Sequence, residues 1–122
     1  MSKKRILIVD DSVDAIRYVM GMLSGEYIFS VAKSGQKAIE SAINDPQPEL
    51  ILMDVEMPEM NGFEACRQIK QNAASADIPV VFASSHDSDS ERQKAQQAGG
   101  SGFLSKPLEG DEIRQIINDL VS

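Results

Sequence analysis

The stretch Leu50-Ile51-Leu52-Met53-Asp54, running on into Val55-Glu56-Met57-Pro58-Glu59-Met60-Asn61-Gly62, decides how this chain is read. Four apolar residues in a row, without polar alternation, suit a strand buried on both faces. The acid that closes the run then stands at the carboxyl end of that strand. Ile6-Leu7-Ile8-Val9 and Val80-Val81-Phe82-Ala83 have the same continuous character. A weaker run, Tyr27-Ile28-Phe29-Ser30-Val31, and a short one, Gly102-Phe103-Leu104, complete a set of five.

Helical spacing fills the intervals. Val13, Ile16, Met20 and Leu23 recur at steps of three and four, as do Ala38, Ile39, Ala42 and Ile43. Phe63, Cys66 and Ile69 follow the same rule, and Ile113, Ile116, Ile117 and Leu120 do so most clearly. A fourth helix is expected from about Asp89 to Ala98, opened by Ser88 with Glu91 three residues on, a capping-box spacing. Its only apolar residues are Ala95 and Ala98. Asp45-Pro46-Gln47-Pro48 and Ala98-Gly99-Gly100-Ser101-Gly102 are turns.

Strands alternating with helices through five units imply an α/β domain whose parallel sheet is covered on both faces. Right-handed crossovers narrow the topology to doubly wound orders, and the flavodoxin-like order 2-1-3-4-5 fits a five-stranded chain. Strands 1 and 3 then meet at the switch point, where such sheets bind ligands beyond their carboxyl ends.

Composition sets the outer limits. At about 150 residues per domain, 122 residues make one domain, 1–122. Apolar residues at 42% and charged residues at 25% are ordinary globular usage. Nineteen acids against twelve bases leave a net charge of -7, which argues against binding nucleic acid or an anionic membrane surface. The single Cys66 excludes an internal disulfide and a cysteine metal cluster. No apolar run approaches the ~18 residues of a membrane span, so a cytoplasmic domain is expected.

Asp10-Asp11 follow the first strand, Asp54 the third, Ser84 the fourth and Lys106 the fifth. Three carboxylates about 5 Å apart repel by roughly 3 kcal/mol per pair at an effective dielectric near 20. A hard divalent cation relieves that repulsion, and Mg2+ takes a few carboxylates, retained waters and often a phosphate. Nucleotide cradles are missing: there is no G-x-G-x-x-G after a strand and no G-x-x-x-x-G-K-[ST]. A carboxylate can itself be the nucleophile and carry the phosphoryl group, and Asp54 is the best placed. Ser84 could then donate a hydrogen bond to the phosphoryl oxygens, and Lys106 could neutralise one. Taken singly, each has a plainer reading as a cap, a strand end or an exposed charge.

These motifs together resemble the receiver domain of two-component response regulators. The resemblance is carried by Ile8-Val9-Asp10-Asp11-Ser12, by Leu52 to Gly62, by Ile78 to Ser84, and by Ala98-Gly99-Gly100 through Lys106-Pro107. It covers essentially the whole chain, and it implies a phosphorylation-switched receiver, not a turnover enzyme. Asp54 would accept phosphate from a sensor histidine kinase or a histidine phosphotransfer protein. Asp10, Asp11, Asp54 and the backbone carbonyl of Glu56 would hold Mg2+. Ser84 and Lys106 would bind the phosphoryl group. Phe103 would take the place of the switching aromatic, remodelling the surface of helix 4, strand 5 and helix 5 for a downstream protein target or output domain. Glu56 and His86 stand at positions that vary in the family and tune the phosphoryl lifetime. A cis peptide at Lys106-Pro107 also follows from the resemblance.

Some residues depart from the family pattern or add little. Ser84 stands for the commoner Thr, Ser85 for a small Ala, and Phe103 has no hydroxyl, so its switching must work by burial of the ring. Met57 and Met60 are expected beneath the loop after the third strand, as gap-filling side chains. Cys66 is expected to act as a small hydrophobe. Two other readings stand beside the receiver. A constitutive adaptor would keep the fold without the switch, although all five key side chains are present. A phosphatase of the haloacid dehalogenase type wants Asp-x-Asp after its first strand and usually a cap domain; here Asp54-Val55-Glu56 follows the third. The chain ends at Ser122, just past the last apolar stripe, as a stand-alone regulator would, and a receiver cut from a larger regulator would read the same.

Overall fold

The computed structural model describes residues 3–121. Five strands and five helices alternate: β1 (Arg5–Val9), α1 (Val13–Met22), β2 (Ile28–Ala32), α2 (Gly35–Ile43), β3 (Leu50–Asp54), α3 (Gly62–Gln71), β4 (Val80–Ser84), α4 (Asp89–Gln97), β5 (Gly102–Ser105) and α5 (Gly110–Leu120). All strand pairs are parallel and the order is β2-β1-β3-β4-β5. The doubly wound architecture is the expected one.

The continuous apolar runs are explained by burial on two sides. Alternate residues of each central strand enter separate cores. Leu7, Val9, Met53 and Phe82 pack with α2, α3 and α4, while Ile6, Ile8, Leu52 and Val81 pack with α1 and α5. Every residue of β3 and β4 is buried. At the edge, β2 is mostly exposed, and Ile28 and Val31 keep 42% and 39% of their surface in contact with solvent. An edge strand has less to bury, and that is why its run is weak in the sequence.

Side-chain oxygens cap four of the five helices that start at the sheet's carboxyl edge, α5 being the exception. Ser12 caps α1, Ser34 caps α2, Asn61 caps α3 and Ser88 caps α4, each accepting from the N–H three residues on. The Ser88–Glu91 signal is therefore met, and Gly99, at φ 95, ends α4 in the left-handed conformation that glycine tolerates. The inward stripe of α1 differs from the spacing read from sequence: Ile16, Val19 and Leu23 are buried, whereas Val13 is 39% exposed. Val13 is the first helical residue and stands at the sheet's carboxyl edge, where burial ends. Ile43, the last residue of α2, is likewise exposed.

Cys66 is fully buried on α3, and its thiol donates to the Ala98 carbonyl across to α4 (3.3 Å). Burial pushes that thiol up to about 11. It behaves as the small hydrophobe the spacing implied. The Lys106–Pro107 peptide is cis, as the resemblance implied, and Asp45–Pro46 is cis as well.

Candidate functional site

The site lies where β1 and β3 run side by side, with Val9 opposite Met53 in register. The next residues are Asp10 and Asp54, and both are buried, at 8% and 5% exposure. Asp11 is exposed. Carboxylate oxygens of Asp10, Asp11 and Asp54 lie within 4.8 Å of one another. The Asp10 carboxylate also accepts from the Ser12 N–H (3.0 Å), so the turn into α1 fixes its direction.

Lys106 reaches in from the end of β5. Its Nζ is 2.9 Å from Asp54 Oδ1 and 3.6 Å from Asp10 Oδ2. Burial pushes the Asp54 carboxyl up; the Lys106 hydrogen bond pulls the other way, and the neighbouring Asp10 and Asp11 charges add to the rise. Burial also works against the Lys106 ammonium, but the bond and charge of Asp54, then Asp10, outweigh it and hold Lys106 above its ordinary value. One cation among three carboxylates leaves an excess of negative charge. All the donors are hard oxygens, and Asp11 faces solvent, where a cation could keep part of its water. That donor set fits Mg2+.

Two loops close over this cluster. After β3 the Met60 N–H donates to the Pro58 carbonyl (2.8 Å), closing a three-residue turn around Glu59 at φ 68. Met57 is buried in the core under this loop, and Met60 packs against the start of α2 beside Gly35. Glu59 is the one described non-glycine residue in the left-handed region, exposed and without a side-chain partner among the described residues. Asn tolerates that conformation better than Glu. Glu59→Asn should raise stability by about 0.5–1 kcal/mol, read as a melting temperature roughly 2–4 °C higher. An unchanged or lower melting temperature would show that the turn carries no strain.

The loop between β4 and α4 is tied down at successive residues. Ser84 is fully buried, yet its hydroxyl is turned onto its own loop, accepting from the His86 N–H (3.0 Å) and donating to the His86 carbonyl (3.3 Å). Glu56 Oε1 receives both the Ser85 hydroxyl (3.1 Å) and His86 Nδ1 (2.9 Å). Hydrogen bonds from His86, then Ser85, hold the Glu56 carboxyl below its usual range. In the sequence Glu56 and His86 are separate positions flanking the site; the structure joins them by a hydrogen bond. Phe103 is half-buried against the α3–α4 core, with the Arg92 guanidinium 4.8 Å above its ring. Nothing in the sequence pointed to Arg92. Toward α1, Ile8, Val19, Leu52, Ala83, Pro107 and Leu108 help wall a mainly apolar cavity of about 210 Å³, which Asp10, Asp54 and Lys106 also line.

Comparison with known proteins agrees with this geometry. The family model for the response regulator receiver domain matches residues 6–118. Response regulator PleD of Caulobacter vibrioides is 39% identical over 106 residues, which make up 86% of this chain and 23% of that protein. This chain thus spans less than a quarter of that relative. Protein PilH of Pseudomonas aeruginosa is 31% identical over 120 residues, covering 97% of this chain and 98% of PilH. The receiver domain of sensor histidine kinase PA1611 from Pseudomonas aeruginosa PAO1, solved with a magnesium ion coordinated in its active site cleft, superposes with a TM-score of 0.88 at 25% identity, covering 98% of each chain. Among the described residues, no helix is long and apolar enough to cross a membrane.

Proposed function

As a member of the response regulator receiver domain family, the chain is, we propose, a Mg2+-dependent phosphoryl acceptor that uses Asp54 to switch a protein-binding surface within a two-component phosphorelay. The observation that carries this reading is the convergence of Asp10, Asp11, Asp54 and Lys106 at one point of the sheet edge. The phosphoryl donor is a sensor histidine kinase or a histidine phosphotransfer protein. One domain, 1–122, does this work in the cytoplasm, and neither nucleic acid nor membrane is its direct partner.

In the transfer, an Asp54 carboxylate oxygen attacks phosphorus while the bond from phosphorus to the donor's leaving atom breaks. Asp10, Asp11, Asp54 and the Glu56 backbone carbonyl would hold Mg2+, which supplies positive charge for the phosphoryl oxygens. Lys106 keeps its hydrogen bond at the acceptor carboxylate and pairs with the phosphoryl group as it arrives. Phosphorylation adds roughly -1.5 to -2 charges to an already acidic cleft, so that pairing is needed. The Ser84 hydroxyl then releases His86 and donates to a phosphoryl oxygen. The space it leaves lets Phe103 bury further, which alters the surface of α4, β5 and α5. A coupling of about 1–3 kcal/mol is enough to change partner affinity usefully.

The direct test is intact-mass measurement after incubation with Mg2+ and a small acyl phosphate. The expected product carries one added phosphoryl group, and chelation of the metal prevents it. A protein that takes up none is not a working receiver, and the adaptor reading then applies. The metal has its own test. Mg2+ should raise the melting temperature, since a ligand that binds only the folded state stabilises it by mass action. Asp11→Ala should lose most of that gain; the chain has no Trp, so calorimetry or NMR is the suitable method.

Glu56 and His86 set the lifetime of the phosphorylated state. Both Glu56→Ala and His86→Ala break the pair that spans the mouth. Each is expected to change the phosphoryl half-life several-fold while leaving Mg2+ affinity nearly intact. A threefold change corresponds to about 0.65 kcal/mol of barrier, so replicate decay curves are required. Half-lives equal to wild type from pH 6 to 8 would remove both residues from the timing.

A further inference from the structure

The β4–α4 loop carries one more tie, at Asp87. Asp87 accepts both the Nε and Nη2 hydrogens of Arg92, the second at 3.1 Å, and also the hydroxyl of Ser105. The Arg92 guanidinium, held by that carboxylate, lies over the Phe103 ring. Loop, α4 and β5 thus meet at a single group of four side chains. Arg92 first, and Ser105 second, hold the Asp87 carboxyl down to about 2, so it stays ionised at any working pH.

We propose that Arg92 is a positioning residue that latches the unphosphorylated arrangement: with Asp87 and Ser105 it pins the β4–α4 loop and covers Phe103, so that phosphorylation of Asp54 must break the latch. This rests on the receiver reading above and specifies what opposes the switch.

The connectivity supplies the argument. Ser84 cannot turn toward Asp54 without giving up the His86 N–H and carbonyl. Those two groups are adjacent to Asp87, and Asp87 is fastened to α4 and β5 at once. Ser105 directly precedes Lys106, whose N–H donates to the Ser84 carbonyl (2.8 Å), so the strand that carries the site lysine also carries an anchor of the latch. Arg92 itself joins what Ser84 would move, the loop, to what must respond, the Phe103 ring. The helix it stands on buries little, with Ala95 its only buried residue, so side-chain ties weigh heavily in holding it. A planar guanidinium suits both contacts, since it forks onto a carboxylate and stacks on a ring in the same pose.

Removing the latch stabilises neither state directly; it withdraws support from the resting one, and the population moves toward the other. Arg92→Ala should therefore accelerate acyl-phosphate labelling of Asp54 about threefold to thirtyfold, the range spanned by an exposed cation–π contact together with an exposed charge pair. Asp87→Asn should act in the same direction. The double variant should match the larger single effect instead of the product, because both remove one unit. Arg92→Lys keeps the charge without the fork, and should fall between wild type and Arg92→Ala. In the absence of phosphate, NMR should show the Phe103 ring resonances of Arg92→Ala moving toward their positions in phosphorylated wild type. A lower melting temperature with unchanged labelling rates and unmoved Phe103 resonances would overturn the latch and leave Arg92 a merely structural contact. If the wild type takes up no phosphoryl group, the receiver reading fails. In that case NOEs from the Phe103 ring to the α3–α4 core, gained in unphosphorylated Arg92→Ala or unchanged from wild type, decide whether Arg92 holds the ring.

Discussion

With Asp54→Asn, incubation with Mg2+ and an acyl phosphate should leave the mass of the protein unchanged, while the wild type gains one phosphoryl group. The amide has the shape of the carboxylate but not its nucleophilic oxygen, and removal of a covalent nucleophile typically costs several orders of magnitude in rate. Equal labelling of the variant would move the acceptor elsewhere. The same substitution has a second readout. Burial holds the Asp54 carboxyl above its ordinary value, so the folded state keeps that proton to higher pH than the unfolded chain does. Stability is then lost as pH rises from the ordinary carboxylate range through the raised value, above which the ionised Asp54 bears the cost of its burial. In metal-free buffer at pH 7, Asp54→Asn should melt above wild type, and the gap should narrow as the pH falls. A variant that melts lower would mean that the Lys106–Asp54 hydrogen bond outweighs the cost of burial.

Gly62→Ala should be the most damaging small substitution near the site. Gly62 opens α3 directly under the phosphoacceptor strand, and its N–H donates to the Val55 carbonyl (2.9 Å). A Cβ there would collide with the Asp54 carbonyl oxygen and press on the Met53 side chain at 2.9 Å. The backbone oxygen cannot step aside without carrying the Asp54 side chain with it. Overpacking of a filled site costs about 1–3 kcal/mol, and here the displaced atoms belong to the acceptor itself. Thermal unfolding should register the stability loss, and phosphoryl uptake should fall by more than that loss explains. Uptake at the wild-type rate in a destabilised protein would show that the loop absorbs the methyl group without moving Asp54.

The parts of this molecule that were legible in the sequence are those governed by burial and chain order. The run from Leu50 to Met53 suits a strand covered twice, which places Asp54 at the sheet edge beside Asp10. Ser88 and Glu91 announced the start of α4. The illegible parts are pairings between loop side chains, which depend on the path of the backbone more than on spacing. His86 lies thirty residues from Glu56 in the chain, yet they share a hydrogen bond. Asp87, Arg92 and Ser105 belong to no sequence motif, and only the path of the loop brings them together, with Arg92 over Phe103. Ser84 was correctly placed, but the direction of its hydroxyl followed from the local turn and could not be read beforehand. Val13 shows another kind of error, because helical spacing says which residues align, not where the sheet beneath them stops.

Cys66 gives the molecule a reporter that needs no engineering. It is the only thiol in the chain, fully buried between α3 and α4, and raised to about 11. At pH 7 such a thiol stays protonated, and it is out of reach of a reagent while the helices stay packed. Alkylation under native conditions must therefore wait for an opening of this face. When reclosing outruns alkylation, its rate divided by the rate for the unfolded chain gives the fraction of time α3 and α4 stand apart, and so a free energy of local opening. Ligands that tighten the face will slow the reaction and those that loosen it will speed it. The chemistry of one buried sulfur thus offers a clock for breathing motions in a domain without a tryptophan.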